Sequence, residues 1–357
     1  MAKGHEGWVA IVPETKGWGS SVFAAGNYLF ADSETLSISK EFTERADKIT
    51  YGRALKPSNR VNGPQKPGGG IQFQFRSDDV LPTLMSHYQM YKGSSQGGTA
   101  TGTVVYDLVP SKSEPNWTGS AFGNGTYGAA AGDMFTVGVI KKFFDTTQNG
   151  GTNSMWFKSC IADSLEFNLT ASDDAKMTAN FKAYDVDAGT ALGASLNPSN
   201  ASIGSYSTKP SFIAWVGTLL FAGQSLDITT ISFTSANNTE DRSIIGRKNP
   251  SKYPLGRVSV KGKIDLDIPK DGLKWMGSQL ADGTFAVSGT LYNSVNDSVI
   301  FAMPMCKYES FEMNLAGGNS ESTFSIPFVA YESEDGGTAP IKWTVRTTGY
   351  GTVFDHI

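Results

Sequence analysis

Three histidines (His5, His87, His356) and two cysteines (Cys160, Cys306) are all the imidazole and thiol chemistry that 357 residues offer. Two of the histidines sit near the chain ends, so the spacing gives no cluster for a transition metal or a nucleophile and its base, and metal binding would rest on carboxylates alone. Without a CxxC spacing, the cysteines read as buried thiols acting as small hydrophobes rather than as a disulfide or reactive pair. DVDAG at 185–189 begins like a calcium loop but lacks the later acidic ligands, and an acidic turn at a strand end is the simpler reading. GNGTYG at 123–128 matches GxGxxG in letters. It lies among small residues with no apolar strand before it, whereas a dinucleotide site needs strand, glycine turn and helix start in that order. No GxxxxGK[ST] or GxSxG occurs, and acid pairs such as Asp173–Asp174 fall in expected turns. The sequence therefore predicts no catalytic residue, no cofactor-binding residue and no metal ligand, and no enzyme.

Composition points elsewhere. Only 18% of residues are charged, while Gly (40), Phe (21) and Tyr (13) are abundant, which favours short strands joined by turns. A net charge of −4 argues against a nucleic-acid binder, which presents a basic stripe to phosphates. The opening MAKGHEGWVAIVPETKGWG places Gly, His, Glu and Pro where a secretory signal needs an unbroken apolar core. No stretch approaches the ~20 apolar residues of a membrane span, so the chain is expected to be cytoplasmic when made and to have no membrane partner.

The elements that would position any functional surface come in two copies. CIADSLEFNL at 160–169 returns as CKYESFEMNL at 306–315, a shift of 146, and FKAYD at 181–185 returns as FVAYE at 328–332, a shift of 147. Upstream, LFADSETLSI (29–38) resembles LFAGQSLDI (220–228), and YGR (51–53) resembles IGR (245–247). Both are followed by Pro/Gly/Asn-rich stretches that read as loops, at 54–70 and 248–257. Then come alternating runs, Ile71-x-Phe73-x-Phe75 and Ile264-x-Leu266-x-Ile268, and a short apolar segment in each copy. Two copies are too few, and the period too long, for a solenoid. The expectation is an all-β chain of two tandem domains, 1–205 and 206–357, joined in NASIGSYSTKP. Leu165, Phe167 and Leu169 alternate with polar residues, as do Met177, Ala179 and Phe181, across the turn ASDDA, which predicts a hairpin with one buried and one polar face. Phe311, Met313 and Leu315 against Phe324, Ile326 and Phe328 repeat it. Val80, Leu81, Leu84, Met85 and Tyr88 have helical spacing, and about one short helix is expected per domain.

The N-terminal GWVAIVPETKGWGSS, EFTERADKITYGR before the long loop, and the paired hairpins together resemble the tail tube proteins of tailed bacteriophages, in the large form with a duplicated tube domain. The resemblance covers nearly the whole chain and rests on diffuse patterns. It implies a β-sandwich or barrel domain with a flanking helix, whose strands join those of neighbours into a continuous inner barrel. Stacked rings would then form a virion tail tube, the channel for DNA ejection, assembled in the host cytoplasm. For a duplicated chain the natural ring is a trimer with pseudo-sixfold symmetry; a hexameric ring is the alternative. Implied partners are further copies of the chain, the tape measure, tail terminator and baseplate or tail-tip proteins, and double-stranded DNA in transit without specific binding.

DNA slides past a neutral or acidic lining rich in hydroxyls and amides, whereas a basic one would hold it. The lumen-facing candidates are Gln72, Gln74, Glu166, Asn168, Asp265, Asp267, Glu312 and Asn314; the bland alternative is that these faces meet outer solvent. Lys176, Lys182, Lys261 and Lys263 share the pattern and count against a uniformly acidic lining. The loops, with Pro57, Asn59, Pro64, Pro67, Pro250 and Pro254, are candidates for contact with a neighbouring subunit or ring, prolines limiting the entropy lost on ordering. Two other readings compete. A β-sandwich virion adhesin or receptor-binding protein would use Trp117, Trp156, Trp215 and Trp275 against carbohydrate, although Trp156 and Trp215 sit in core-like contexts. A glycosidase would need two carboxylates ~5–10 Å apart in a cleft.

Overall fold

Apolar–polar alternation becomes strands in the computed structural model, which describes residues 8–13, 27–29, 31–44, 60–77, 80–88, 103–110, 137–142, 154–188, 209–214, 217–267, 283–294, 296–309, 312–314, 323–334 and 336–348. The first half supplies β1 (Trp8–Pro13), β2 (Asn27–Leu29), β3 (Ala31–Glu34), β4 (Ser37–Glu44), β5 (Arg60–Gln74), α1 (Val80–Tyr88), β6 (Thr103–Leu108), β7 (Val137–Lys142), β8 (Ser154–Thr170), β9 (Lys176–Lys182) and β10 (Asp185–Ala188). The second supplies β11 (Thr218–Phe221), β12 (Gln224–Ser225), β13 (Ile228–Ala236), β14 (Ser259–Asp267), β15 (Phe285–Ser294), β16 (Asp297–Tyr308), β17 (Glu312–Asn314), β18 (Thr323–Ala330) and β19 (Lys342–Thr348). The fold is all-β with one helix among the described residues. The second expected helix, in 270–280, and the join in 200–208 lie outside them.

Backbone pairing, antiparallel throughout, arranges a central sheet in the order β3/β4, β5, β9, β8, β13, β14, β18, β17. Its middle bond joins the copies: β8 of the first pairs with β13 of the second from Thr170↔Thr230 to Ser164↔Ala236. A second sheet, continuous with the central one where Cys306–Tyr308 of β16 pair with β18, runs β6, β19, β16, β15, β11, β12, and here too a first-copy strand, β6, is added to second-copy strands. The first half of β8 belongs to a further set, pairing with β7 and β10, and β7 leads on to β1 and β2. Ser159, with φ 47°, sits between the two uses of β8 and redirects the strand.

The duplication is visible in the register. Phe167 pairs with Met177 across β8–β9, and Met313 with Phe324 across β17–β18, which are the same positions after shifts of 146 and 147. Cys160 donates to Phe157 O at 3.3 Å and Cys306 to Met303 O at 3.6 Å, again 146 apart at both ends. Neither cysteine is in a disulfide and both are buried, as expected of small hydrophobes. Gly69 and Gly262 correspond as well, 193 apart, and both sites exclude a side chain. A Cβ on Gly69, at φ +144°, would lie 2.5 Å from Thr35 O, and one on Gly262 would lie 2.7 Å from Phe233 Cβ.

Two expectations are corrected. Residues 60–70, read as loop from their prolines and glycines, form the first part of β5, paired with β4 from Glu44↔Arg60 to Ser37↔Gly68. Pro64 and Pro67 are tolerated because β9 joins only from Gly68 onward, leaving that stretch a ladder partner on one side alone. Pro57 and Asn59 lie outside the described residues. Asp185–Ala188, read as part of a turn, form β10, whose Asp185 carboxylate accepts from the Val186 amide.

The apolar face of the central sheet packs on the second sheet through a cluster of rings drawn from both copies. Phe167 lies 5.3 Å from Phe75 and 5.1 Å from Phe233, and Phe301 lies 5.2 Å from Phe233 and 5.6 Å from Trp343. One continuous core of buried side chains spans the two halves.

Candidate channel and assembly surfaces

The other face of the central sheet is polar, and strict alternation makes it so. In β8, Leu165, Phe167 and Leu169 are buried while Glu166 and Asn168 are exposed; along β5 and just past its end, Ile71, Phe73 and Phe75 are buried around Gln72 and Gln74. Cross-strand register carries this face across the copies. One row runs Gln72, Thr178, Glu166, Thr234, Lys261, and the next runs Gln74, Lys176, Asn168, Ser232, Lys263. A third runs Thr170, Thr230, Asp265, Ser325 and ends at Glu312. The eight residues singled out from sequence therefore belong to one face of one sheet. For Glu312 and Asn314 this rests on register alone.

Amides and hydroxyls dominate that face, and its charges are mixed. Asn180 donates to Ser164 at 2.9 Å and to Glu166 at 3.1 Å; Ser325 donates to Asp265 at 2.8 Å; Lys263 pairs with Asp265 at 3.0 Å. Lys261 pairs with Glu309 at 3.4 Å, both well exposed, a contact contributing at most about 1 kcal/mol. Lysines and carboxylates are interspersed over the face, so it offers neither a basic track nor an acidic wall.

The segment between β13 and β14, which contains the predicted loop 248–257, grips the other copy. Asn237 donates to Ala162 O at 2.9 Å, Thr239 N to Asp163 at 2.9 Å, and Tyr253 OH to Ala183 O at 2.8 Å. Gln65 N donates to Lys248 O at 2.9 Å, and Lys182 Nζ to Thr239 O at 2.6 Å. Lys182, expected on the polar face, is thereby drawn to this segment and to Asp163 and Asp241. Pro250 and Tyr253 are buried here. At the tip, Ile245 is fully exposed and Ile244 49% exposed, next to Gly246 at φ +86°. The grip of the β13–β14 segment had no sequence signal beyond proline and glycine content, because its partners lie far away in the chain.

Polar groups also lock the copies together internally. His87 of α1 lies with Nε2 3.2 Å from Ser235 Oγ of β13, and Trp343 Nε1 of β19 donates to Tyr88 OH at 2.7 Å. Asn237 Nδ2 donates to His87 O at 2.6 Å. Burial holds the His87 imidazole neutral, its pKa lowered to about 3 against a smaller upward pull from Asp163. Lys209, just beyond the join, reaches Asp297 at 2.5 Å and Thr347 at 2.8 Å. None of these was singled out from sequence as a junction; His87 was weighed only as a catalytic or metal-binding residue.

Trp156 is in the core, as its context suggested, and Trp117, Trp215 and Trp275 lie outside the described residues, as does GNGTYG. Among the described residues no group of three or more His, Cys, Asp or Glu is placed to hold a metal ion, and no helix is long and apolar enough to cross a membrane. A family model described as phage tail tube protein matches residues 4–345. The chain belongs to the phage tail tube protein family. A comparison with curated proteins finds no match. Membership makes this a structural component of a virion tail that assembles with itself and other tail proteins into a tube.

Proposed function

We propose that three chains close head to tail into a ring of six tube-domain copies, that rings stack into the tube, and that the polar face of the central sheet lines the channel through which DNA is ejected. The observation that carries this is the β8–β13 pairing, which already fuses two copies into one sheet. β17 is the second-copy counterpart of the second half of β8, and its described partner is β18 alone; at the opposite end of the sheet, β3 and β4 have β5 alone. Joining β17 of one chain to the β3/β4 edge of the next repeats the internal junction. Closure removes both edges, which in an open chain would template uncontrolled pairing. In a ring of single-domain subunits six chains would be needed; a duplicated chain needs half as many, so three is favoured over a hexamer of whole chains.

The two copies, divided near 205, are pseudo-equivalent domains in this reading. The mixed, amide-rich rows from Gln72 to Asp267 suit a lining that duplex DNA must leave as easily as it enters, since net phosphate neutralisation would hold it. The arm containing Pro64 and Pro67 and the segment containing Pro250 and Pro254 are contacts between copies, and the tube ends meet the tape measure, terminator and baseplate or tail-tip proteins. Virion assembly in the host cytoplasm follows. Negative-stain electron microscopy of the purified chain tests the reading: annular particles or tubes with a central channel and threefold or pseudo-sixfold end views are expected. Compact particles without a channel at every concentration would overturn it.

A further inference from the structure

Between the end of β18 and the start of β14 lies a groove lined by Val258, Ser259, Val329, Ala330, Tyr331 and Pro340. Tyr331 is 42% exposed there. Shifted back by 193 and 147 residues, four of these positions become Gln65, Lys66, Lys182 and Ala183 of the first copy. That first-copy groove is occupied. Within the same chain, the segment 239–253 fills it, with Lys248 O on the Gln65 amide, Asp241 3.6 Å from Lys66 and 3.5 Å from Lys182, and Tyr253 OH on Ala183 O. Tyr253 is almost wholly buried in the process.

The segment that corresponds to this occupant is 47–60. DKITYGRALKPSNR repeats the frame of DRSIIGRKNPSKY at 241–253: Asp47 answers Asp241, Gly52-Arg53 answers Gly246-Arg247, Pro57-Ser58 answers Pro250-Ser251, and Arg60 answers Tyr253. Only Arg60 of this segment is among the described residues, at the start of β5. We propose that residues 47–60 of one chain seat in the Val258–Tyr331 groove of a second copy of this chain, repeating between subunits the clasp that residues 241–253 make within one. The inference rests on the ring reading, since only a head-to-tail ring brings a first copy beside a foreign second copy in the order found inside the chain.

Both sides of the second clasp change in step. The lysines of the first groove, Lys66 and Lys182, are replaced by Ser259 and Val329, and the occupant's Lys248 is replaced by Ala54-Leu55. Arg257 and Glu332 rim the groove, giving Asp47 and Arg60 opposite charges to meet. At these three positions the internal clasp carries lysines and the proposed one neutral side chains. Such a difference discourages 47–60 from taking the internal site and so fixes the order of copies around the ring.

Cross-linking tests this in the full-length chain, whose own two thiols are buried. Tubes assembled from an Arg60→Cys, Glu332→Cys double variant, treated with a short bismaleimide, are expected to give a ladder of covalent dimers and higher oligomers on a denaturing gel, absent from either single variant and from unassembled chain. If that pair blocks assembly, Lys56→Cys with Tyr331→Cys is read in the same way. Well-formed tubes that yield only monomers, or a monomer cross-linked within itself, would overturn the clasp and leave the ring intact. Failure of the unmodified chain to form rings or tubes would remove the ring reading and the clasp with it.

Discussion

Phe167 stands where the two halves of the molecule meet, touching Phe75 on one side and Phe233, Phe301 and Trp343 on the other. Truncating it should open a cavity that two sheets of strands cannot collapse into, so Phe167→Ala is expected to cost about 3–5 kcal/mol in urea unfolding. The loss should fall on both halves together if they share one core; a mutant that unfolds only its first half would argue otherwise. His87 makes a prediction with a sign. Its folded pKa, about 3, lies below the unfolded value, so its contribution is complete above about pH 6.5 and is lost as pH falls toward 3. In that window this one group should remove about 1.4 kcal/mol of stability per pH unit. His87→Gln should be less stable at pH 7 yet show a flatter fall in urea midpoint between pH 7 and 4.5. An unchanged slope would mean that the imidazole is already charged or solvated in the folded chain. The sequence marked Phe167 as core through alternation, but it left His87 without a role, since Ser235 and Asn237 approach from the other copy.

Among elements, the hairpin β8–β9 and helix α1 were legible because each is specified locally, one by period-two alternation around a turn and the other by apolar spacing near 3.6. β5 was not. Pro64, Pro67 and Gly68 to Gly70 read as breakers, and only pairing with β4, from Glu44↔Arg60 to Ile38↔Pro67, makes Arg60–Pro67 a strand. The polar face was readable residue by residue, while its continuity through β8–β13 was not, because register between distant strands leaves no mark in either one. Edge chemistry gives the element-scale prediction. Successive backbone N–H groups of a strand point to opposite sides, so of Glu312→Pro and Met313→Pro one removes a donor from the outer edge of β17 and the other from the β18 side. Both variants should reach a folded monomer by circular dichroism, because β17 contributes three residues at the sheet's end. The outer-edge variant should fail to form rings; normal ring yield from both would separate β17 from assembly.

At the scale of the whole molecule, duplication explains features that neither copy explains alone: equivalent cysteines with equivalent bonds, a clasp filled in one copy and its counterpart groove in the other, and a sheet whose free ends are the counterparts of its own middle. The mixed charge of the polar face leads to a functional prediction. Tubes carrying Glu166→Lys with Asp265→Lys should retain duplex DNA in a salt-dependent manner, log affinity falling as salt rises, while unmodified tubes should show no such retention. Equal behaviour of the two would place the face outside the channel. The most direct test of the account is a helical reconstruction of assembled tubes at a resolution that traces strands. It should show β17 of each chain paired with the β3/β4 edge of the next, three chains to a ring, with Gln72, Glu166 and Asp265 facing the lumen. Rings in which that face meets outer solvent, or in which chains meet without continuing the sheet, would contradict it.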